Sequence, residues 1–389
     1  MQISHRAASF QESVIREMTR LHVIHGGVNL AQGYPDFDPP QEIVDAACRA
    51  LREGHNQYAI TWGTPRLREA IARRAAEFNH LPTDPVANVT VCCGATETMI
   101  ATLMAVCNPG DEVIVFTPYY ENYGPDAILS GATPVYVRLH RHRGAWGFDP
   151  EELAAAFTHR TRAIIVNTPH NPTGHVFSRG ELESIAELCL RHNCLAITDE
   201  IYEHILYDGR EHVSLASLDG MRERTITISG ASKTFSVTGW RIGWAIAPKE
   251  LTTGIRRVHD FLTVGAPHPL QEAASTALEL PQRYYEELVE KYTTRRDRVT
   301  AMLQAAGLQP MVPEGAYYTL ADITPFGFPD DVAFTMHLIK EIGVAVVPGS
   351  SFYPAGWEEG KRMVRFAFPK RDATLEEAAR RLQVLKPAP

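Results

Sequence analysis

Residues 162–200 read RAIIVNTPHNPTGHVFSRGELESIAELCLRHNCLAITDE, and this stretch decides the fold. Ala163–Asn167 is a short, almost wholly apolar run rich in β-branched residues. The NTPHNPTG segment after it is turn chemistry, with Pro and Gly as punctuation. Glu181–His192 then repeats apolar residues at helical spacing, and Leu195–Asp199 is a second apolar run. A strand, a helix and a strand in so short a span make a βαβ unit. Continuous rather than alternating apolar strands belong to a parallel sheet covered by helices on both faces.

The same pattern extends outward. VTVCC (Val89–Cys93), DEVIVF (Asp111–Phe116), TPVYVRL ending at Leu139 and TITIS ending at Ser229 supply further strands, with a helical TETMIATLMAVC after the first. From about Pro269 the pattern changes. A long helical stretch, QEAASTALELPQRYYEELVEKYTTRRDRVTAMLQAAG, is interrupted at Pro281. A strand-like AYYTLAD, a helix near Asp331–Ile342, the apolar VAVV, the strand MVRFAF and a closing helix TLEEAARRLQVL follow. This predicts an α/β protein with a large domain on a mainly parallel sheet and a smaller α+β domain. The Gly/Pro-rich GGVNLAQGYPDFDPP near the start is expected to be a loop rather than part of the core.

With 389 residues, 44% of them apolar and 22% charged, the chain suits a soluble globular protein of two or three domains. Its 38 basic and 46 acidic residues leave a net charge of −8 with no basic stripe, which argues against nucleic acid as a partner. No apolar run is long enough to cross a bilayer, and MQISHRAASFQESVIREM has no apolar h-region. No membrane partner is therefore expected, and the expected location is cytoplasmic. Six cysteines without CxxC spacing and sixteen histidines without HExxH give no sign of a disulfide framework or a metal site.

Ligands of open α/β sheets gather at the carboxyl ends of the strands. Asn167 and Asn171 follow one strand, Asp199 ends the next with Tyr202 just beyond, and Lys233 follows TITIS. Singly, an Asn before Pro is ordinary turn chemistry and an Asp after a strand is an ordinary helix cap. Together, on consecutive strand ends, they point to a site. A lysine in a Gly/Ser-rich turn behind a buried strand can condense with an aldehyde and act as a general base once its pKa is depressed. SKT is similar to the GK[ST] of a phosphate loop, but the upstream GxxxxG is absent, and no GxGxxG follows any strand. Gly94-Ala95-Thr96, between VTVCC and a helix, offers N–H groups and a hydroxyl to a phosphate. Arg365 lies among the apolar residues of MVRFAF, where an unpaired guanidinium is costly.

The fourteen residues Gly230–Gly243, GASKTFSVTGWRIG, resemble the lysine-attachment segment of the class I aminotransferases of fold type I, which depend on pyridoxal phosphate. The similarity continues through NLAQGYPDFDPP, NQYAITWGTPRLREAI, NPGDEVIVFTPYYENY, NTPHNPTG, TDEIYEHI, VPEGAYY and MVRFAFPK. It looks closest to the branch containing kynurenine, methionine and some aspartate aminotransferases. The resemblance implies pyridoxal 5'-phosphate as cofactor, with Lys233 as its covalent anchor and Asp199 as partner of the ring nitrogen. It places Asn171 and Tyr202 at the phenolic oxygen and Tyr120, rather than its neighbour Tyr119, on the ring face. Gly94, Ala95, Thr96 and Arg241 match the phosphate site, and Tyr58 the tyrosine that reaches the phosphate of the other subunit in a homodimer. Arg365, with Gly33 and Asn171, matches the site for the substrate α-carboxylate.

One departure stands out: Gly230 occupies the place of a phosphate-binding serine in some relatives, with Ser229 and Ser232 as nearby replacements. On this resemblance, residues 1–40 form an arm, 41–268 the large cofactor-binding domain, and 269–389 the connecting helix and small domain. The implied activity is ping-pong transfer of an amino group from an L-amino acid to a 2-oxo acid such as 2-oxoglutarate. Tyr34, Trp62, Tyr120 and the Phe261–Pro267 segment favour an aromatic, methionine-like or kynurenine-like donor. Aspartate would need a further cation, for which Arg16 and Arg20 are the candidates. C–S β-lyases share the fold and remain an alternative. A cofactor-binding regulator is disfavoured, because the chain shows no basic DNA-binding extension.

Overall fold

The computed structural model describes residues 3–10, 12–142 and 144–387. Eight strands form one sheet in the order Val89–Cys92, Gly243–Ile246, Thr225–Gly230, Leu195–Asp199, Thr161–Asn167, Glu112–Thr117, Thr133–His142, Ala145–Phe148. The five strands from Thr225–Gly230 to Thr133–His142 run parallel. The remaining pairings, made by Gly243–Ile246 with both its neighbours and by Ala145–Phe148, are antiparallel. These two antiparallel strands are absent from the sequence expectation. GWAI is too short, and begins with a glycine, to stand out without its neighbours.

Both faces of this sheet are covered, as the unbroken apolar strands require. Ile165 packs into one cluster with Met99, Leu103 and Ile255, while Ile164 and Val166 on the same strand enter another with Leu182 and Ile185. Alternate side chains of one strand thus meet helices on opposite sides. Helix Arg179–Arg191 begins in a capping box, Ser178 and Glu181 exchanging hydrogen bonds with each other's backbone.

A four-stranded antiparallel sheet, Gln309–Pro310, Tyr318–Asp322, Met363–Ala367 and Val347–Pro348, forms a second layer. The long helical stretch divides as the sequence indicates, into His268–Leu278 and Gln282–Ala305, with Pro281 at the cap of the second. Helix His268–Leu278 packs against Gln41–Arg52 and Pro65–Phe78.

One expectation fails. The GGVNLAQG segment is core rather than surface loop: Val28–Asn29 pairs in parallel with Val344–Ala345, and Leu30 and Ala31 are fully buried. Backbone pairing explains this, since Leu30 donates to Ala345 O at 2.9 Å and accepts from Ala367 N at 2.8 Å. Leu30→Ala should therefore cost about 3 kcal/mol in denaturant unfolding, the usual scale for a buried Leu truncation. A loss below about 1 kcal/mol would show that this segment does not hold the two layers together.

Candidate active site

The parallel register pairs Asn167 with Asp199 and Asp199 with Ile228, so the polar strand ends meet in space. They open into a cavity of about 130 Å³ whose wall includes Thr96, Tyr120, Asn171, Asp199, Lys233 and Arg241. Ala95 and Tyr202 line it too. Most residues singled out in the sequence for one ligand thus surround one space.

Asp199 is buried, and its Oδ2 accepts a 2.7 Å hydrogen bond from the Tyr123 hydroxyl. Its Oδ1 accepts from Ile201 N at 3.3 Å. Burial raises the carboxyl above its ordinary value, while the Tyr123 and Ile201 donors and the Lys233 charge pull it back. Asn167 donates to the Asp199 carbonyl at 2.8 Å and accepts from Asn171 N at 2.7 Å, which fixes the NTPHN turn.

Lys233 lies on the short helix Ala231–Thr234 directly after strand Thr225–Gly230. Its Nζ donates to Gly33 O at 3.3 Å and stands 5.6 Å and 5.8 Å from the ring centres of Tyr317 and Tyr202. Burial lowers its pKa; Tyr318 and Asp199 oppose that, and Arg241 and Arg365 add to it. An amine held below its ordinary pKa is the nucleophile and proton acceptor that carbonyl chemistry needs.

Helix Ala95–Val106 starts at Gly94, which has φ +85° and gives no side-chain cap, leaving first-turn N–H groups free. A Cβ on Gly94 would run into the Arg241 guanidinium, so backbone donors and a cation converge at this helix start. Arg241 itself is left-handed, with φ +56°, and its Nη1 donates to Thr238 O at 3.0 Å. A side chain at Gly230 would meet the Ile242 carbonyl, and Ser229 donates to Glu203 at 2.6 Å. Of the two nearby serines, only Ser232 lines the cavity.

Arg365 is 1% exposed; its Nη1 donates to Asn171 Oδ1 and its Nη2 to Ala31 O, both at 2.9 Å. The guanidinium lies over the rings of Tyr318 at 4.2 Å and Phe352 at 4.8 Å. Its Nε has no partner, and among the described residues no carboxylate pairs with it. A buried cation without a counter-charge, one side chain away from the cavity, suits an anionic ligand. Gly33 allows this packing, since a Cβ there would strike the Tyr318 hydroxyl.

Tyr58 does not join the cavity of its own chain: it is 85% exposed and lines a surface pocket with Cys93 and Gly265–Pro269. Of the aromatic wall candidates, Tyr120 lines the cavity, whereas Tyr34 is stacked under Lys370 and Trp62 under Arg256. Tyr123, Tyr318 and Asp126 are cavity residues that the sequence did not single out. Asp126 is buried with no partner for its Oδ2, and burial pushes its carboxyl up to about 7.

The donor set fits pyridoxal phosphate: a buried carboxylate, a buried amine, an aromatic ring, and a helix start joined by an arginine. The Gly94 position offers a direct check. Gly94→Ala should weaken retention of pyridoxal phosphate on dialysis at least about tenfold, because the methyl displaces Arg241. Gly54→Ala is the control, with an equally strained φ of +94° but open space around it. Equal retention by the two variants would remove Arg241 and Gly94 from the phosphate site.

The family "Aminotransferase class I and II" matches residues 25–382. A protein of Mycobacterium tuberculosis, named as a probable N-succinyldiaminopimelate aminotransferase, DapC, is 40% identical over 99% of this chain and 98% of its own. The solved structure of the N-succinyldiaminopimelate aminotransferase from that organism superposes with a TM-score of 0.96 at 40% identity, covering 99% of this chain and 100% of that one. Human kynurenine–oxoglutarate transaminase 1 is 37% identical over 95% of each chain. YbdL of Escherichia coli, with a reported methionine aminotransferase function, superposes with a TM-score of 0.94 at 33% identity over 99% of this chain and 100% of that one. The chain belongs to the class I and II aminotransferases, enzymes of fold type I that depend on pyridoxal phosphate.

Proposed function

We propose that this aminotransferase moves the amino group of an L-amino acid with a large apolar or aromatic side chain to 2-oxoglutarate. The observation that carries the site assignment is the convergence of Lys233, Asp199 and Arg241 on one cavity, with Arg365 held against it through Asn171. Bound pyridoxal phosphate supplies an electron sink for the charge left when the amino acid loses its Cα proton. Lys233 would hold the cofactor through its amine and, as a free amine, could accept that proton. Asp199 keeps a proton at the ring nitrogen, and Tyr123 orients its carboxylate. Asn171 and Tyr202 donate to the phenolic oxygen, and Tyr120 covers one ring face. Ala95, Thr96, Ser232 and Arg241 take the phosphate. Arg365, with Gly33 and Asn171 beside it, takes the α-carboxylate of donor and acceptor alike.

A second donor class is favoured by a specific feature. A groove of about 850 Å³ runs along the arm, shares Asn122 and Asp126 with the cavity, and carries Arg16 on its wall. Arg20 is engaged with Glu12 at 2.5 Å, so Arg16 is the freer of these two candidates. A long donor, of the N-succinyldiaminopimelate type named for the relatives, would fit such a groove if its carboxylate met Arg16 rather than Glu12, Glu17 or Glu121, which line the same wall.

A donor panel with 2-oxoglutarate decides between these. Phenylalanine, methionine and kynurenine should outperform aspartate in kcat/KM; a tenfold preference for aspartate would reverse the choice. A preference for an N-succinylated donor that falls tenfold or more in Arg16→Ala would establish the second class. Pyruvate release from cystathionine without an oxo acid would instead mark a β-lyase. Arg365→Ala should raise KM for donor and acceptor together, and a change within twofold would refute its role. Borohydride reduction and peptide mapping should place the pyridoxyl group on Lys233.

A homodimer follows from the same proposal. Tyr58, at 85% exposure, and Phe261, at 92%, are large exposed side chains that a second copy would cover while Tyr58 reaches the neighbouring phosphate. Light scattering should give twice the chain mass, and Tyr58→Phe should weaken cofactor retention without preventing its attachment to Lys233. A fully active monomer would contradict both.

A further inference from the structure

Away from the cofactor cavity, three groups of ligating side chains come together among the described residues. Two are already saturated. In Cys92–Glu97–His259, the histidine bonds to Thr61 O and to Glu97, and burial pushes the Cys92 thiol up, so it resists becoming a thiolate. In Glu200–Glu203–His212, the carboxylates are taken by Ser214, Asn79 and Ser229 deep in the core. The third group, His55, His268 and Glu272, is half-buried and reachable from solvent.

We propose that His55, His268 and Glu272 bind one divalent transition-metal ion, zinc by preference. His268 opens helix His268–Leu278, and Glu272 stands one turn further on the same face. His55 reaches them from the turn after helix Gln41–Arg52. Its Nδ1 is 3.2 Å from His268 Nε2, with the rings 4.8 Å apart and nearly perpendicular at 82°. Zn–N bonds of about 2.0–2.1 Å in a tetrahedron put neighbouring nitrogens about 3.3 Å apart, so the two imidazoles already sit at ligand spacing. All three ligating atoms lie within 4.8 Å of one another.

The surroundings agree. His268 Nδ1 lies 3.1 Å from the Gln57 carbonyl; donating there, it keeps its proton and leaves the Nε2 lone pair facing His55. A ligating histidine anchored by its second nitrogen on a carbonyl is the common outer-sphere arrangement. The proton now shared between the facing nitrogens moves to His55 Nε2, so the ring binds as a neutral ligand. The Glu272 carboxylate has only a loose contact with Arg66, at 3.6 Å, whereas Arg66 is held by Glu279 at 2.9 Å. Turning it toward a metal therefore costs little. Two imidazoles and one carboxylate suit zinc and disfavour magnesium and calcium, which take oxygen ligands. Water completes the fourth position.

The test uses tag-free holoenzyme stripped with a chelator and titrated with zinc alone, followed by calorimetry and metal analysis. One zinc per chain should bind with micromolar or tighter affinity and raise the melting temperature. His55→Ala and Glu272→Gln should weaken binding more than about a hundredfold, beyond the 10–100-fold usual for an outer-sphere partner. Both variants should melt as the wild type does when zinc is absent. Cobalt in place of zinc should give the visible bands of a four-coordinate site, and His55→Ala should abolish them. No stoichiometric binding, or binding that survives His55→Ala and disappears in Cys92→Ser, would overturn the proposal. None of the three ligands lines the cofactor cavity, and although His268 shares the surface pocket of Tyr58, zinc binding is read directly rather than through activity.

Discussion

The register that sets Asp199 beside Asn167 on one side and Ile228 on the other is the constraint on which the site depends. It brings the polar residues of three strands to one edge of a sheet that is otherwise dry. There the carboxyl of Asp199 and the amine of Lys233 both lose hydration, and both shift away from their charged forms. Several kcal/mol is the usual penalty for taking one ion out of water, so neither group is comfortable alone. Tyr123 and the Ile201 amide offset part of it for Asp199, while the protein offers Lys233 the Gly33 carbonyl. A cofactor with a ring nitrogen to protonate and an aldehyde to condense would relieve both groups at once.

The second constraint is a strap of backbone. The carbonyls of four consecutive residues, Ala31 to Tyr34, accept from Arg365, Lys370 and Tyr317, with Lys233 on the carbonyl of Gly33. Cations and a phenol from the small layer thereby satisfy a stretch with no ladder partner of its own. Lys370 is 2% exposed, and burial lowers its amine to about 8, so its two carbonyl contacts matter to the stability of the strap. Because Arg365 and Lys233 hold neighbouring carbonyls, the proposed carboxylate and cofactor sites share one rigid element. A shift of the small layer would be felt at both.

Legibility from sequence divided along physical lines. The parallel strands were readable because burial on both faces demands unbroken apolar runs, and Lys233, Asp199 and Arg365 because charge beside such runs is conspicuous; Arg241 came only through the resemblance of Gly230–Gly243 to a lysine-attachment segment. The strap was misread because its composition is that of a loop, and only distant side chains make it core. Gly243–Ile246 was missed because its strand character comes from the two neighbours it joins. Tyr123 and Tyr318 were missed for a similar reason. Each partner is far along the chain, 76 residues for Tyr123–Asp199 and 116 for Tyr202–Tyr318, and a tyrosine in an apolar run looks like packing. His55 and His268 lie 213 residues apart, so no metal spacing could reveal them.

In the proposed function, chemistry and selectivity fall to different parts of the molecule. The cavity floor is built from strand ends and short turns, whose positions are locked by the sheet. The groove beyond Asn122 is walled partly by the arm, whose helix Val14–His25 buries only Met18 and is tied to the body through Glu121. The outward side of this helix can therefore change sequence at little cost to the fold, while the floor cannot. Asp126 stands at the boundary, lining both spaces without a partner and half-ionised near pH 7. Below that pH it is a neutral neighbour; above it, it adds a charge where the two spaces meet. On the proposed donor assignment, the groove rather than the catalytic floor is where the two donor classes would be told apart.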